Sequence, residues 1–358
     1  MSESERKLKI IRTWMAERDF NGLLLQKVSS FAWATCGAAS YINRAATDGV
    51  ASLLITQDHQ YLITNTIEAP RLEREEKLVA QGWEFHLSPW PASDTSITEL
   101  SRGLKLAADC SFPDAVDLSA DLARLRANLT PEEGLRFREL GKQCSHAMNS
   151  AARGVRPGQT EFEIAARLAA EAEQQGMQAI VNLIATDERI FFFRHPLPTA
   201  KKLDKYVMLI LCGRKNGLVC SLTRLVHFGP LPDALQRKAS ACARVDAVFI
   251  NSTRPGQSLG VIFEKAVAAY AANGFPDEWQ KHHQGGAAGY EPREYLAVPG
   301  SPELVSVGQV YAWNPSITGC KSEDTILVGE TSNDILTEIP DWPVSIIDGV
   351  VRPSILVN

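Results

Sequence analysis

The side chains best suited to chemistry are concentrated between residues 281 and 295, which read KHHQGGAAGYEPREY. Three glycines there, at positions 285, 286 and 289, would let the backbone approach a ligand closely. Adjacent side chains of an extended strand point to opposite faces, so we expect at most one of the two histidines to face a cleft, and the pattern does not favour a metal site. Polar and aromatic residues flank the glycines and could contact a ligand: His282, His283, Gln284, Tyr290, Arg293 and Glu294.

His195, in the sequence FFFRHPLPT, is a second candidate. A histidine with a near-neutral pKa can remove a proton from water and return it to a leaving nitrogen. We expect the three preceding phenylalanines to lower the local dielectric and to favour the neutral, basic imidazole. The alternative is a structural loop histidine. Arg293 likewise has two interpretations, since its guanidinium could bind a substrate carboxylate bidentately or form a structural ion pair with Glu294.

A folded chain must position these groups, and the amino-acid composition is typical of a folded protein. The 358 residues are 45% hydrophobic and 22% charged, which favours two domains. A formal net charge of −5 lacks the broad basic field of a nucleic-acid binder. The seven cysteines are scattered, and neither a signal-peptide start nor an apolar run of about 18 residues is present. We therefore expect a cytoplasmic protein with reduced thiols that binds neither nucleic acid nor membranes.

Hydrophobic periodicity predicts a small α/β domain over residues 1–128. Helices are predicted over Glu5–Ala16 and Ile67–Gln81, and strands over Phe20–Leu25, Ala51–Ile55 and Gln60–Ile63. The pattern then changes, and a second domain is predicted over residues 129–358. It begins with a capping box, with Thr130 as N-cap and Glu133 three residues later, which predicts a long helix ending near residue 154.

The second domain contains an internal repeat. The sequence RPGQT begins at residue 156 and RPGQS begins at residue 254, and each predicts a helix capped by its final Thr or Ser and ended by a glycine, at 176 or 274. Apart from a chance recurrence, this pattern indicates two α/β halves related by a pseudo-twofold axis. Such halves would form a cleft between their sheets, where polar groups can converge. Strands are predicted over Ala179–Ile184, Tyr206–Cys212, Leu218–Val226, Gln309–Trp313 and Thr325–Val328.

The order of these motifs resembles the creatinases, prolidases and methionine aminopeptidases. The resemblance rests on TPEE at 130–133, RPGQTEFE at 156–163, His195, the pairs CG at 212–213 and TR at 223–224, GGAAG at 285–289 and SEDTILV at 322–328. It extends over the whole chain, because the first 128 residues resemble the creatinase and prolidase N-terminal domain. The implied fold class is α/β (α+β): a pita-bread C-terminal domain with a pseudo-twofold axis, and a smaller creatinase-type N-terminal domain.

The departures from this family concern its metal site. Its metallopeptidases hold two divalent metals with two Asp, one His and two Glu. The corresponding positions here carry Leu211 or its neighbour, Ser221, Gly286 and Asn314, and only Glu323 is retained. One carboxylate among such residues cannot bind a hard dinuclear pair. We therefore predict no metal and no cofactor, and not a dinuclear metalloaminopeptidase.

Creatinase works without metal, and His195 matches the position of its proton-shuttling histidine. The resemblance therefore implies a metal-independent hydrolase that cleaves a C–N bond of a small polar carboxylate, such as a guanidino, amidino or amide metabolite. His195 would be the general acid/base and Glu323 an orienting or cation-binding carboxylate. The strand LVCSLTR, however, lacks the glutamate that creatinase carries there. The predicted substrate-binding residues are Arg293, His282, His283, Gln284, Tyr290, Glu294, Asn314, Trp313, Phe193 and Arg194.

Other interpretations remain open at this stage. The chain could be a catalytically inactive pita-bread binding module, or a lyase or cyclase using the same His and Glu. Glu323 could be a relic that bonds Ser322 or Lys321, and Trp313 could line the pocket or pack in the core. Because creatinase relatives are dimers, a homodimer is expected. Cys212 and Cys220 are expected to be inert core thiols, and Asp324 a structural hydrogen-bonding residue at a strand end.

Overall fold

The structure, a computed structural model, describes residues 1–92 and 95–358. The chain divides into two compact units, Met1–Arg126 and Ala127–Asn358. No helix among the described residues combines the length and the apolar character needed to cross a bilayer.

The first unit is built around a mixed sheet whose strand order is β4-β3-β2-β1-β5-β6. Buried apolar side chains such as Leu24, Leu54 and Ile63 form a hydrophobic cluster on this sheet. The elements in chain order are α1 (Glu3–Glu17), β1 (Gly22–Lys27), α2 (Val28–Ala34), β2 (Asp48–Thr56), β3 (Gln60–Asn65), α3 (Ala69–Arg74), β4 (Glu84–Ser88), α4 (Ser96–Leu100), β5 (Leu106–Ala108), β6 (Ala115–Asp117) and α5 (Ser119–Arg126).

The helix predicted over Ile67–Gln81 is wrong in its length. Only Ala69–Arg74 is α-helical, and Val79–Gln81 forms a separate 3-10 helix. Between them Lys77 has φ +57°. A residue in the left-handed region cannot continue a right-handed helix, so the chain must turn there. Residues 73–77 read EREEK and are all good helix formers, which explains why the sequence favours one continuous helix.

The second unit contains the repeat. Its elements in chain order are α6 (Pro131–Arg153), α7 (Glu161–Gln174), β7 (Gln178–Thr186), α8 (Arg189–Phe192), β8 (Tyr206–Lys215), β9 (Leu218–His227), α9 (Asp233–Ser252), α10 (Leu259–Ala272), β10 (Gly285–Ala288), β11 (Tyr295–Leu296), β12 (Val310–Trp313), β13 (Ser316–Ile317), β14 (Cys320–Lys321), β15 (Asp324–Val328), β16 (Asn333–Ile335), β17 (Val344–Ile347), β18 (Val350–Pro353) and β19 (Leu356–Val357). A 3-10 helix, Glu278–Lys281, precedes β10.

Each half of this unit has a long helix, an RPGQ loop, a capped helix and then antiparallel strands. The first half uses α6, α7 and β7 to β9, and the second uses α9, α10, β10, β12 and β15. The predicted N-caps are confirmed, because Thr160 Oγ1 accepts from Glu163 N at 3.2 Å and Ser258 Oγ from Val261 N at 3.3 Å. Both helices are followed by a glycine with positive φ, at residues 176 and 274. The duplicated α/β half expected from the sequence is therefore present.

The two sheets of the second unit meet where β9 approaches the residues before β15. Their strand orders are β19-β9-β8-β7 and β11-β10-β12-β15-β16, and a single bridge between Thr223 and Glu323 joins them. Beside it, Ser221 N donates to Thr325 Oγ1 at 2.9 Å. This junction brings side chains that are about a hundred positions apart in the sequence into contact.

The contribution of the α7 N-cap to the stability of the protein can be measured directly. Replacing Thr160 with Ala should lower the free energy of unfolding by about 1 kcal/mol, because the helix loses the hydroxyl that accepts from a backbone N–H of its first turn. Thr160→Ser keeps that hydroxyl and is the matched control. Urea unfolding of both variants measures the difference, and equal losses for Ala and Ser would contradict the capping role.

Candidate active site

Glu323 lies at the junction of the two sheets, and its carboxylate is surrounded by donors of this chain. Lys321 Nζ is 2.7 Å from Oε2, and Arg293 Nη2 is 3.1 Å from Oε1. Thr223 Oγ1 donates to Oε2 at 2.6 Å. Burial opposes ionisation of Glu323, but the charges of Lys321 and Arg293 outweigh it and hold its pKa at about 2. The group is therefore a fully ionised, buried carboxylate whose charge is compensated by two side-chain cations.

Arg293 has a second contact in the same junction. Its Nη1 lies 3.4 Å from Ser221 Oγ, while its Nε is buried without a hydrogen-bond partner in the described structure. Arg293 therefore pairs with Glu323, whereas Glu294 accepts from Tyr290 N at 2.8 Å.

His195 lies on a loop that a buried carboxylate, Glu161, holds at both ends. Glu161 is the first residue of α7, and it accepts from Thr186 N at 2.8 Å and from Thr199 N at 2.9 Å. It also forms an ion pair with Arg189, whose other guanidinium nitrogen donates to Leu197 O at 3.0 Å. The capped start of α7 thus fixes the loop on either side of the exposed imidazole.

His195, His282 and His283 form a cluster in this unit. Nε2 of His195 and Nε2 of His282 are 3.1 Å apart, so one of them carries the hydrogen and the other accepts it. The ring centroid of His283 lies 4.4 Å from that of His282 and 5.7 Å from that of His195. The expectation that the adjacent histidines point to opposite faces is therefore wrong, because both rings lie beside His195. Both residues precede β10, and His282 ends a 3-10 helix, so strand alternation does not apply to them.

All three histidines are biased towards the neutral form. Burial, followed by the charge of Lys321, lowers the pKa of His195. The same two effects lower the pKa of His282 to about 2, and burial followed by the charge of Arg293 lowers that of His283 to about 4. The three phenylalanines that were predicted to cause this effect are themselves partly exposed: Phe191 by 40%, Phe192 by 70% and Phe193 by 47%. The imidazole of His195 is available as a base, and its environment opposes protonation.

The structure distributes the other predicted ligand-binding residues over three places. Phe193 and Arg194 line a small cavity together with His282 and Lys321, and Arg194 also pairs with Glu278 at 2.8 Å. Gln284 and Asn314 are buried behind the cluster and joined by a backbone hydrogen bond of 3.0 Å; Asn314 Oδ1 has no partner in the described structure.

Two predicted residues belong to the packing of the unit instead. Trp313 is fully buried, stacks on Phe249 with ring centroids 4.5 Å apart, and donates from Nε1 to Thr253 Oγ1 at 2.9 Å. Trp313 therefore packs in the core and does not line the pocket. Tyr290 is also buried, and its hydroxyl lies 2.6 Å from Glu133 Oε1, where it ties β10 to the start of α6.

Lys321 was considered in the sequence only as a partner of a relic Glu323, and the structure shows this contact at 2.7 Å. It stands two positions before Glu323, and the period-2 alternation of extended chain would have placed both on one face. Thr223 was quoted only as a motif residue, yet it contacts the carboxylate directly. Asp324, in contrast, is structural as predicted: it accepts from Arg224 at 2.8 Å and from Arg352 at 2.5 Å.

The donor set at the junction does not fit the pair of divalent metals that the family resemblance implies. Cys212 faces Ser221 across β8 and β9, and Ser221 Oγ donates to its sulfur at 3.2 Å. Burial, above all, raises the pKa of Cys212 to about 11, so it offers no thiolate. A Cβ added at Gly286 would lie 2.1 Å from Tyr295 O, which leaves no room for a histidine there without moving the backbone. The oxygens of Glu323 are already bound by cations of the chain.

Comparisons with known proteins agree on the architecture. Residues 136–330 match the model of metallopeptidase family M24. A solved Xaa-Pro dipeptidase from Bacillus anthracis superposes with a TM-score of 0.82 at 17% identity, covering 99% of this chain and 100% of that one. The α/β pita-bread fold expected from the sequence is therefore confirmed.

Two curated proteins are similar in sequence over parts of the chain. An uncharacterized peptidase of Staphylococcus haemolyticus is 26% identical over 234 residues, 62% of this chain and 65% of that protein. An agropine synthesis cyclase of Rhizobium rhizogenes is 29% identical over 138 residues, 36% of this chain and 35% of the cyclase. The matched regions span less than two thirds of either relative.

Replacing Glu323 with Gln should lower the free energy of unfolding by an amount that depends on pH, because the substitution removes the negative charge that Lys321 and Arg293 compensate. Near neutral pH we expect the free energy of unfolding to fall by about 3 kcal/mol or more, because two buried cations lose their carboxylate. The folded pKa of about 2 lies below the ordinary value of 4.5. The contribution of Glu323 is thus fully present above the unfolded pKa and is lost as the pH falls from about 4.5 towards about 2.

Urea unfolding of wild type and Glu323→Gln at a series of pH values, down to the lowest at which both stay folded, measures this effect. The difference between them should be constant at neutral pH and should narrow in acid. Glu264→Gln, at an exposed position of α10, is the matched control. A difference for Glu323→Gln that does not change with pH would contradict the assignment.

Proposed function

We propose, because the chain belongs to metallopeptidase family M24, that it is a hydrolase in which histidine and side-chain cations do the work of the family's two metals. The proposed reaction is the metal-independent cleavage of a C–N bond in a small polar metabolite that carries a carboxylate. His195 is the general acid/base in this proposal, and Glu323 orients the cations that bind the substrate.

The single observation that carries this proposal is the arrangement of an exposed, neutral imidazole beside a cluster with excess positive charge. Lys321 and Arg293 together bear two positive charges, and Glu323 compensates only one of them. The charges of Lys321, Glu323 and Arg293 all act on His195. An anionic group of a substrate would complete the charge balance, and the unpartnered Nε of Arg293 offers it a further donor. Binding there would place the rest of the substrate near His195.

This arrangement alters one of the two roles expected for Glu323. A substrate ammonium or guanidinium would have to displace Lys321 or Arg293 from the carboxylate, because both are within hydrogen-bond distance of it. The contacts favour the orienting role, in which Glu323 fixes the two cations. The guanidino, amidino or amide part of the substrate would then be the group that is cleaved.

The chemical step needs only proton transfer and charge stabilisation. Neutral His195 removes a proton from a water molecule as the water oxygen attacks the carbon of the C–N bond. The resulting imidazolium then gives this proton to the leaving nitrogen as that bond breaks, so the histidine is regenerated. The low pKa values of His282 and His283 oppose protonation of their rings, so the transferred proton would reside on His195. A proton-transfer group beside an anion site favours an enzyme over an inactive binding module.

A cyclase is the second candidate function, and the similarity to an agropine synthesis cyclase favours it. The same imidazole could take a proton from a nucleophilic group of the substrate itself and return it to the leaving group. Hydrolysis would then be replaced by ring closure within one molecule. The homodimer also remains a prediction.

His195→Ala should lower kcat by about 100-fold or more, within the usual contribution of a general acid/base. A substrate is first needed, and small carboxylates with guanidino, amidino or amide groups can be screened by their effect on the melting temperature. His146→Ala, at an exposed position of α6, is the matched control and should keep full activity. Unchanged kcat in His195→Ala would remove the assignment, and activity lost on chelation and restored by a divalent metal would remove the metal-independent chemistry.

Turnover in isotope-labelled water separates the two candidate reactions. A hydrolase must incorporate one solvent oxygen into the product, because water is the nucleophile. A cyclase must give a product without solvent oxygen, in which one group of the substrate has replaced another. Mass spectrometry of the product measures the difference, and unlabelled product would reject hydrolysis in favour of the cyclase.

A further inference from the structure

We propose that His195, His282 and His283 form a site for one borderline transition-metal ion such as Zn²⁺, and that its occupation inhibits the enzyme. The site is distinct from the junction around Glu323 and uses none of the positions at which the resemblance places metal ligands. Binding follows from geometry alone, whereas the inhibitory effect rests on the proposed function.

The distances between the imidazole nitrogens suit a shared metal ion. One ligand atom of each histidine lies within 4.8 Å of those of the other two. Nε2 of His195 and Nε2 of His282 are 3.1 Å apart. Two nitrogens bound to one tetrahedral zinc at about 2.0–2.1 Å are separated by roughly 3.3 Å. His195 and His282 therefore already have nearly the spacing of two zinc ligands, and a side-chain rotation of His283 would bring in the third nitrogen.

The hydrogen-bonding state of the ring nitrogens also permits a metal ion to bind. Nδ1 of His282 and Nδ1 of His283 are buried and have no hydrogen-bond partner in the described structure. Because no group of the described chain fixes the hydrogen at either Nδ1, His282 can carry its hydrogen there and bind an ion through Nε2. The contact between His195 and His282 also requires one N–H and one lone pair. An ion between them would replace that hydrogen, and the proton would move to the other nitrogen of its own ring, so no proton need be released.

The surroundings decide which ions can bind. The cluster offers only imidazole nitrogens, which suit zinc, copper and nickel and not magnesium or calcium. Lys321 and Arg293 face the cluster and oppose a cation, while Glu323 partly offsets them. The same cations would favour an anion as the fourth ligand, for example chloride or the carboxylate of a substrate. The exposed position of His195 leaves the ion a route in from solvent.

Occupation would have a direct chemical consequence. The lone pair that binds the metal on His195 is then not available to accept a proton from water. A metal bound to the three histidines would thus inhibit this protein, whereas metals activate the metallopeptidases that it resembles. Free zinc could in this way regulate the enzyme by competing with the proton for His195.

The experiment is a titration of the tag-free, metal-stripped full chain with Co²⁺, whose visible absorption reports nitrogen ligands in a tetrahedral site. We expect a saturable band at one equivalent, displaced by Zn²⁺ and not by Mg²⁺. His283→Ala and His282→Ala should each weaken binding by about 10-fold or more, the lower end of the range for losing even an outer-shell partner. His146→Ala is the matched control and should bind as the wild type does. Circular dichroism shows that each variant is folded.

The outcomes are distinguishable from those that test the proposed function. No saturable band, or binding equal in the wild type and in both histidine variants, would overturn the metal site and leave the proposed hydrolase intact. Binding with the expected variant effects, together with zinc inhibition that is weakened in His283→Ala, supports the proposal. Binding that raises turnover would overturn the inhibitory role and the metal-independent reaction together.

Discussion

The negative charge of the buried Glu323 carboxylate constrains the structure of the second unit. Glu323 is 2% exposed and sits where two sheets meet, so its ionised form must be compensated by positive charge nearby. Two metal ions would do so in the metallopeptidases that the chain resembles. Here Lys321 and Arg293 contact one oxygen each and supply that positive charge from the chain itself. Charge compensation by Lys321 and Arg293 thus accounts both for the retained Glu323 and for the replacement of the other metal-ligand positions.

The duplicated half explains how such a junction can be built from distant residues. Each copy supplies a capped helix and antiparallel strands, and the two sheets meet at one bridge. In the first copy, the residue after the N-cap of α7 is the buried Glu161, which holds the loop of His195. In the second copy, the segments around β10 and β14 supply the remaining histidines and both cations. His195 and the charged residues of the junction come from different halves and converge between them.

Local signals in the sequence were enough to predict the framework. The capping box, the RPGQ repeat with its N-caps and the long apolar runs correctly predict α6, α7, α10 and the central strands, because these depend on contacts within a few residues. The side-chain geometry of the cleft depends on tertiary contacts and was harder to predict. The stacking of His282 and His283 requires knowing that the 3-10 helix ends there, and the burial of Trp313 requires knowing that Phe249 packs on it. The contact of Lys321 with Glu323 could be anticipated, because the two residues are two positions apart in extended chain, but the contact of Arg293 with the same carboxylate depends on the tertiary structure.

The most direct test of the account is the position of metal ions relative to Glu323. A crystal of the full chain soaked in Mn²⁺, which prefers carboxylate ligands, can be measured at a wavelength where manganese scatters anomalously. We expect no pair of anomalous peaks at Glu323, with Lys321 and Arg293 still bound to its oxygens. Two peaks roughly 3.5–4 Å apart that share the Glu323 carboxylate would contradict it.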